Sequence, residues 1–209
     1  MLAVCIAPGP SLESTDLSGL AGRSTFTIAI NHAYLKVEQP DVVYACDGRY
    51  WDKYHGPIKA KHPNAALWTQ DMLPGDMSAA LRYGLLRLHN MDKGAAYLPG
   101  LCRVPGGVHG GGNGGYQAVN LAYHLGAKKI LLVGYDMGNA ADGKAHFFGE
   151  YEGRLAMPHR NFGLFIRNFE TIKPEEYGIE IINCTPGSRL KCFPFSTLER
   201  ELENECVPV

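Results

Sequence analysis

The residues of this 209-residue chain with chemistry to offer sit directly behind short apolar runs. LAVCIA (2–7) is followed by Pro8, Gly9, Pro10 and Ser11, STFTIAI (24–30) by Asn31, and DVVYAC (41–46) by Asp47. KILLVG (129–134) leads into Tyr135 and Asp136, and IEIIN (179–183) leads into a turn containing Ser188. If these runs are parallel strands, their carboxyl ends share one edge, where open α/β sheets bind ligands. Turn chemistry alone also selects Asn, Asp, Gly and Ser. Convergence on one site is therefore an expectation for the structure to test.

Each position suggests a role. Pro8 to Leu12 form a tight turn that should bring amides and a helix start towards a phosphate; the bland alternative is a strand–helix turn capped by Ser11. GGVHGGGNGG (106–115) runs straight into a helical pattern, and glycines there admit close approach of a ligand to the backbone. Gly110, Gly112 and Gly115 match a dinucleotide fingerprint, with Asp136 as the ribose acid downstream, although Pro105 spoils the preceding strand. Asp47 and Asp136 could hold a ribose hydroxyl or a metal, or cap a helix. His146 and His159 are candidate general bases by their intrinsic pKa. No paired motif for a tightly held zinc is present.

The elements that must position these groups follow from hydrophobic patterning. The apolar runs are continuous rather than alternating, the mark of strands covered on both faces. AALWT (65–69) is a weaker strand candidate. Residues 78–89, 116–125 and 161–172 carry apolar side chains three and four apart and read as helices. The expectation is an α/β, Rossmann-like, doubly wound and mainly parallel sheet forming one domain over 1–209. Residues 138–158 lack periodicity and read as a lid-like insertion carrying Lys144 and His146.

Composition narrows the function classes. Twenty Lys plus Arg against 21 Asp plus Glu give a net charge of −1, which argues against general duplex binding. Six scattered cysteines with no C-x-x-C pair, no export signal and no apolar stretch of about 20 residues suggest a reduced, cytoplasmic protein without a membrane span. An exposed sheet edge or apolar helix face would suit a homo-oligomer.

The ordered motifs VCIAPGPSL, AINHAYL, PDVVYACD, GGYQAVNLAYHLGAKKILLVGYDMG, PHRNF and IEIINCTPGSRLKCFP resemble small bacterial lipooligosaccharide sialyltransferases and related phage-encoded proteins. The G-P-S-L turn and the P-D-x-V-x-x-x-D strand are also similar to archaeal 6-hydroxymethylpterin diphosphokinases. The first resemblance implies metal-free binding of a CMP-sugar, with Gly9 and Ser11 in the donor turn and Asn31 on the donor. It places Asn113 and Gly114 against the nucleotide and His159 as catalytic base. Two phosphate-binding tyrosines of that family fall near Gly138 and Lys144 here, so Lys144 or His146 would supply charge instead. The family's second strand-end asparagine aligns with Asp47, which the second resemblance implies is a Mg²⁺ ligand.

The expected function is a nucleotide-dependent transferase, foremost a glycosyltransferase with a nucleotide-activated donor and a hydroxyl-bearing acceptor, requiring no cofactor. Its donor site would comprise Gly9, Pro10, Ser11, Asn31, Asp47, Asn113, Gly114, Gly115, Asp136 and Ser188. The alternatives are a Mg²⁺-dependent pyrophosphokinase, an NAD-binding oxidoreductase and a non-catalytic nucleotide-binding protein of the same fold.

Overall fold

The computed structural model describes residues 1–71, 74–92, 96–156 and 160–204. Eight strands form one parallel sheet: β1 (Leu2–Ile6), β2 (Thr25–Ile30), β3 (Val42–Tyr44), β4 (Ala66–Asp71), β5 (Leu86–Asn90), β6 (Gly107–Val108), β7 (Lys129–Val133) and β8 (Glu180–Asn183). Their spatial order is β6-β5-β4-β3-β2-β1-β7-β8. The chain thus steps outward from β1 to β6, then returns to β1's other side with β7. The winding reverses between β1 and β7, and a crevice at their carboxyl ends is the expected result.

Every β1 residue is buried, which explains its unbroken apolar run. Ala3 and Cys5 face a layer built from α3 (Gly114–His124) and α4 (Phe162–Glu170). Leu2, Val4 and Ile6 face the opposite layer, which holds α1 (Gly48–Lys61), α2 (Pro74–Tyr83) and α5 (Leu198–Asn204). The expected α/β doubly wound sheet is what the chain forms. Among the described residues no helix is long and apolar enough to cross a membrane.

Three departures have local causes. The helix expected over 78–89 is instead the end of α2 followed by β5, because Gly84 turns the chain at φ +64° and Leu86 begins parallel pairing with Trp68. The short apolar spacing in LRYGLLRLH suits either period, and pairing to β4 decides it. Helix α1 escaped the pattern because Gly56 and Pro57 lie inside it, yet Tyr50, Trp51 and Ile58 bury its inner face. The start of the glycine-rich segment is the edge strand β6, so α3 crosses from the sheet's edge to its centre. That is not the first βαβ unit a dinucleotide fingerprint requires.

Residues 138–156 contain one 3₁₀ turn (Gly153–Leu155) and an isolated bridge between His146 and Gly149. The segment is tied to the end of β1 where the Phe147 amide donates to the Pro8 carbonyl at 3.1 Å.

Candidate functional site

A cavity of about 270 Å³ opens at the reversal between β1 and β7. Gly9, Asn31, Asp47, Asn113, Gly114, Gly115, Asp136 and His146, all picked from the sequence, line it. The geometric expectation of convergence is met for these residues.

The turn after β1 is closed on itself rather than open to a ligand. Gly9 N–H donates to the Gly134 carbonyl at 3.1 Å, Leu12 N–H to the Gly9 carbonyl, and Ser11 N–H to Asp136 Oδ1 at 3.0 Å. Ser11 Oγ donates to Asp136 Oδ2 at 2.9 Å. Burial pushes the Asp136 carboxyl up, and the two Ser11 bonds partly offset this. Gly9 must be glycine: a Cβ there would stand 2.0 Å from Asp136 Oδ2 and 2.3 Å from the Gly134 carbonyl. The turn continues as a four-residue 3₁₀ segment with Pro10 at its start, not as the expected helix. Pro10 and Ser11 therefore build the seam joining β1 to β7 and are not on the cavity wall. Ser188 is likewise structural, fully buried with Oγ donating to the Tyr135 carbonyl at 2.6 Å.

Free donors come instead from α3. Asn113 caps the helix by accepting from Tyr116 N–H at 2.9 Å. The amides of Gly114 and Gly115 line the cavity and have no acceptor among the described residues. Two open amides at the positive end of an 11-residue helix are an arrangement that favours an anion. Across the cavity, Asn31 and Met137 adopt left-handed backbone, φ 49° and 53°. Non-glycine residues in this region store strain that commonly marks ligand sites. The Asn31 side chain makes no protein hydrogen bond among the described residues.

The charged candidates sort differently from the sequence expectation. Asp47 lines the cavity, but it caps α1 and accepts from the Arg49 guanidinium through both carboxylate oxygens. A divalent ion there would have to displace Arg49, and the described residues contain no group of three metal-ligating side chains. The donor set does not fit a built Mg²⁺ site. Lys144 is exposed, paired with Asp142 at 2.7 Å and off the cavity wall. His146 is on the wall, but its Nε2 faces Arg160 Nη2 at 3.0 Å. Burial, then the Arg160 charge, lower its pKa to about 4. His146 is thus a neutral ring occupied by Arg160, which argues against a base. His159 lies outside the described residues.

Among the cavity residues that were not anticipated, Arg160, Tyr50, Tyr151 and Phe165 bear most on its chemistry. Arg160 is the wall's buried cation, with 12% of its side chain exposed. Tyr50 and Tyr151 line the cavity from α1 and from the 138–156 segment, and Phe165 adds an apolar wall from α4. Tyr50 pairs with His32 Nδ1 at 3.0 Å, and the Tyr151 hydroxyl is buried against the His32 backbone. His32 packs among Tyr50, Tyr54, Phe148 and Tyr151 at ring separations of 4.4–5.5 Å. Its pKa is about 4, lowered by burial and then by His146 and Lys53. Arg160 stands inside the PHRNF motif but was not singled out there. The tyrosines carry no local signal.

No family model and no curated protein matches this sequence. Solved structures do. The sialyltransferase CstII from Campylobacter jejuni, in complex with the substrate analogue CMP-3FNeuAc, superposes with a TM-score of 0.60 at 13% identity, covering 92% of this chain and 84% of that one. A CST-II variant in complex with CMP gives 0.61 at 15% identity over 92% and 85%. CST-II with a trisaccharide acceptor and CMP gives 0.59 at 14% over 93% and 85%. These likenesses establish the shared fold.

Proposed function

We propose that this cavity binds a CMP-type nucleotide sugar and that the protein transfers its glycosyl group to a hydroxyl acceptor. The observation that carries the reading is the pair of unpartnered amides at Gly114 and Gly115, aimed at the reversal point of a sheet that follows the fold of CMP-binding sialyltransferases. The nucleotide phosphate sits on these amides, and Asn31 bonds the donor with its free side-chain amide.

In the reaction the anomeric C–O bond breaks and its electrons leave with the phosphate oxygen. The acceptor oxygen bonds the anomeric carbon, and its proton passes to His159. That residue directly precedes Arg160, which is on the cavity wall. Preorganised donors around the leaving phosphate account for most of the barrier reduction in such a step.

Calorimetric titration with CMP, UDP, GDP and ATP, each with Mg²⁺ or with EDTA, tests the reading. CMP binding insensitive to EDTA is expected. ATP binding that requires Mg²⁺ would instead favour pyrophosphoryl transfer, with Asp47 released from Arg49. Failure of every nucleotide would leave a protein that keeps the fold without this chemistry. His159→Ala should bind CMP normally and lose transfer by about 100-fold or more; retained transfer over a broad pH range removes His159 as base.

A further inference from the structure

Arg160 is held more deliberately than a surface cation needs. Nη1 donates to Glu150 Oε1 at 3.1 Å, and Nη2 donates to Glu150 Oε2 at 2.7 Å and to His146 Nε2 at 3.0 Å. Glu150 also accepts from the Ala145 amide, and His146 stacks on Phe148 with an interplanar angle of 8°. The forked pair fixes the plane of the guanidinium. With the His146 bond this uses three of the five N–H bonds, and the Nε hydrogen and one Nη1 hydrogen have no acceptor among the described residues. The Arg160 side chain is 12% exposed on the cavity wall, which leaves these two N–H bonds open to solvent or to a ligand in the cavity.

We propose that Arg160 is the cation that meets the nucleotide phosphate as it departs, and that Glu150 and His146 are its positioning residues. The proposal rests on the reading of the cavity as a nucleotide site. Arg160 faces the ligand with its unused N–H bonds while the α3 amides hold other phosphate oxygens. His146 acts through its neutral ring, accepting from Nη2, and not as a proton acceptor in the reaction. Glu150 balances the guanidinium charge before the donor arrives. When the phosphate departs, its developing charge falls on a guanidinium already oriented.

The test compares CMP with cytidine, which lacks the phosphate, on the full chain by calorimetry. Arg160→Gln should weaken CMP about 10- to 100-fold, the effect of losing charge-assisted bonds, while leaving cytidine unchanged. Glu150→Gln and His146→Gln should each erode the CMP-over-cytidine preference less, with Glu150→Asp restoring part of it. Thermal melts establish that each variant is folded. Arg160→Gln that weakens both ligands equally, or neither, overturns the assignment. Lys144→Gln that removes the preference while Arg160→Gln does not would transfer the role to Lys144 and refute the proposal. A wild-type protein that binds neither CMP nor cytidine refutes the reading of the cavity instead.

Discussion

Acidification should strike the aromatic cluster beneath the 138–156 segment before any other part of the molecule. His32 and His146 each fall from an ordinary value of 6.5 to about 4 because burial penalises the imidazolium, and each feels a neighbouring charge or ring that adds to the penalty. A depressed histidine value means that the unfolded chain binds the proton more readily. The associated stability is intact above 6.5 and declines as pH falls towards 4. At about pH 5 each ring contributes RT ln[(1+10^1.5)/(1+10^−1)], about 2 kcal/mol of lost stability. Both rings remain neutral in the fold at that pH, so the losses add to about 4 kcal/mol, or a melting temperature lower by about 8–16 °C for a domain of this size. Asp136, raised by burial, acts in the opposite sense and blunts the decline at its acid end. His55 and His124 are also lowered and contribute a common background slope. Thermal melts from about pH 7 to pH 5 on wild type and on the His32→Gln/His146→Gln double variant read the effect. The variant should lose most of the pH slope, and equal slopes in the two proteins would refute the argument.

Three further outcomes follow from the site. Gly9→Ala places a methyl group against Asp136 and the Gly134 carbonyl, and should cost about 3 kcal/mol or prevent folding, read as melting temperature and yield. Tyr151→Phe removes a fully buried hydroxyl whose bonding to the His32 backbone is weak, so stability should change by no more than about 1 kcal/mol, read by thermal melting. Asn113→Ala deletes the α3 cap and should cost about 1 kcal/mol of stability together with nucleotide affinity, because the open amides of Gly114 and Gly115 lose their fixed direction.

The sheet was legible because burial on both faces writes itself into LAVCI and KILLV as unbroken apolar runs. The same strand-end logic found Asn31, Asp47 and Asp136, since residues directly behind a strand inherit its direction. What pattern could not supply was partnership. Ser11 and Gly9 have the composition of a phosphate turn, but their amides are taken up by Asp136 and Gly134 in the turn after β7, about 125 residues later in the chain. Lys144 has the right charge in the right segment and pairs with Asp142 two residues away. Arg160, Tyr50 and Tyr151 reach the cavity from a helix start, a helix with an internal proline and an irregular segment, where periodicity carries no information. β5 was read as helix because its five residues fit both periods, and only the parallel pairing to β4 chooses between them.

The placement of β7 beside β1 has a consequence for synthesis. Strands β1 to β6 can pair successively as the chain emerges, each beside its predecessor, yet the seam that closes Gly9 against Gly134 and Asp136 must wait until more than half the polypeptide is made. Long-range parallel pairing of this kind is slow relative to local structure. A truncated or nascent chain can therefore own most of the sheet while lacking one wall of the cleft, so ligand capture becomes a report on completed folding.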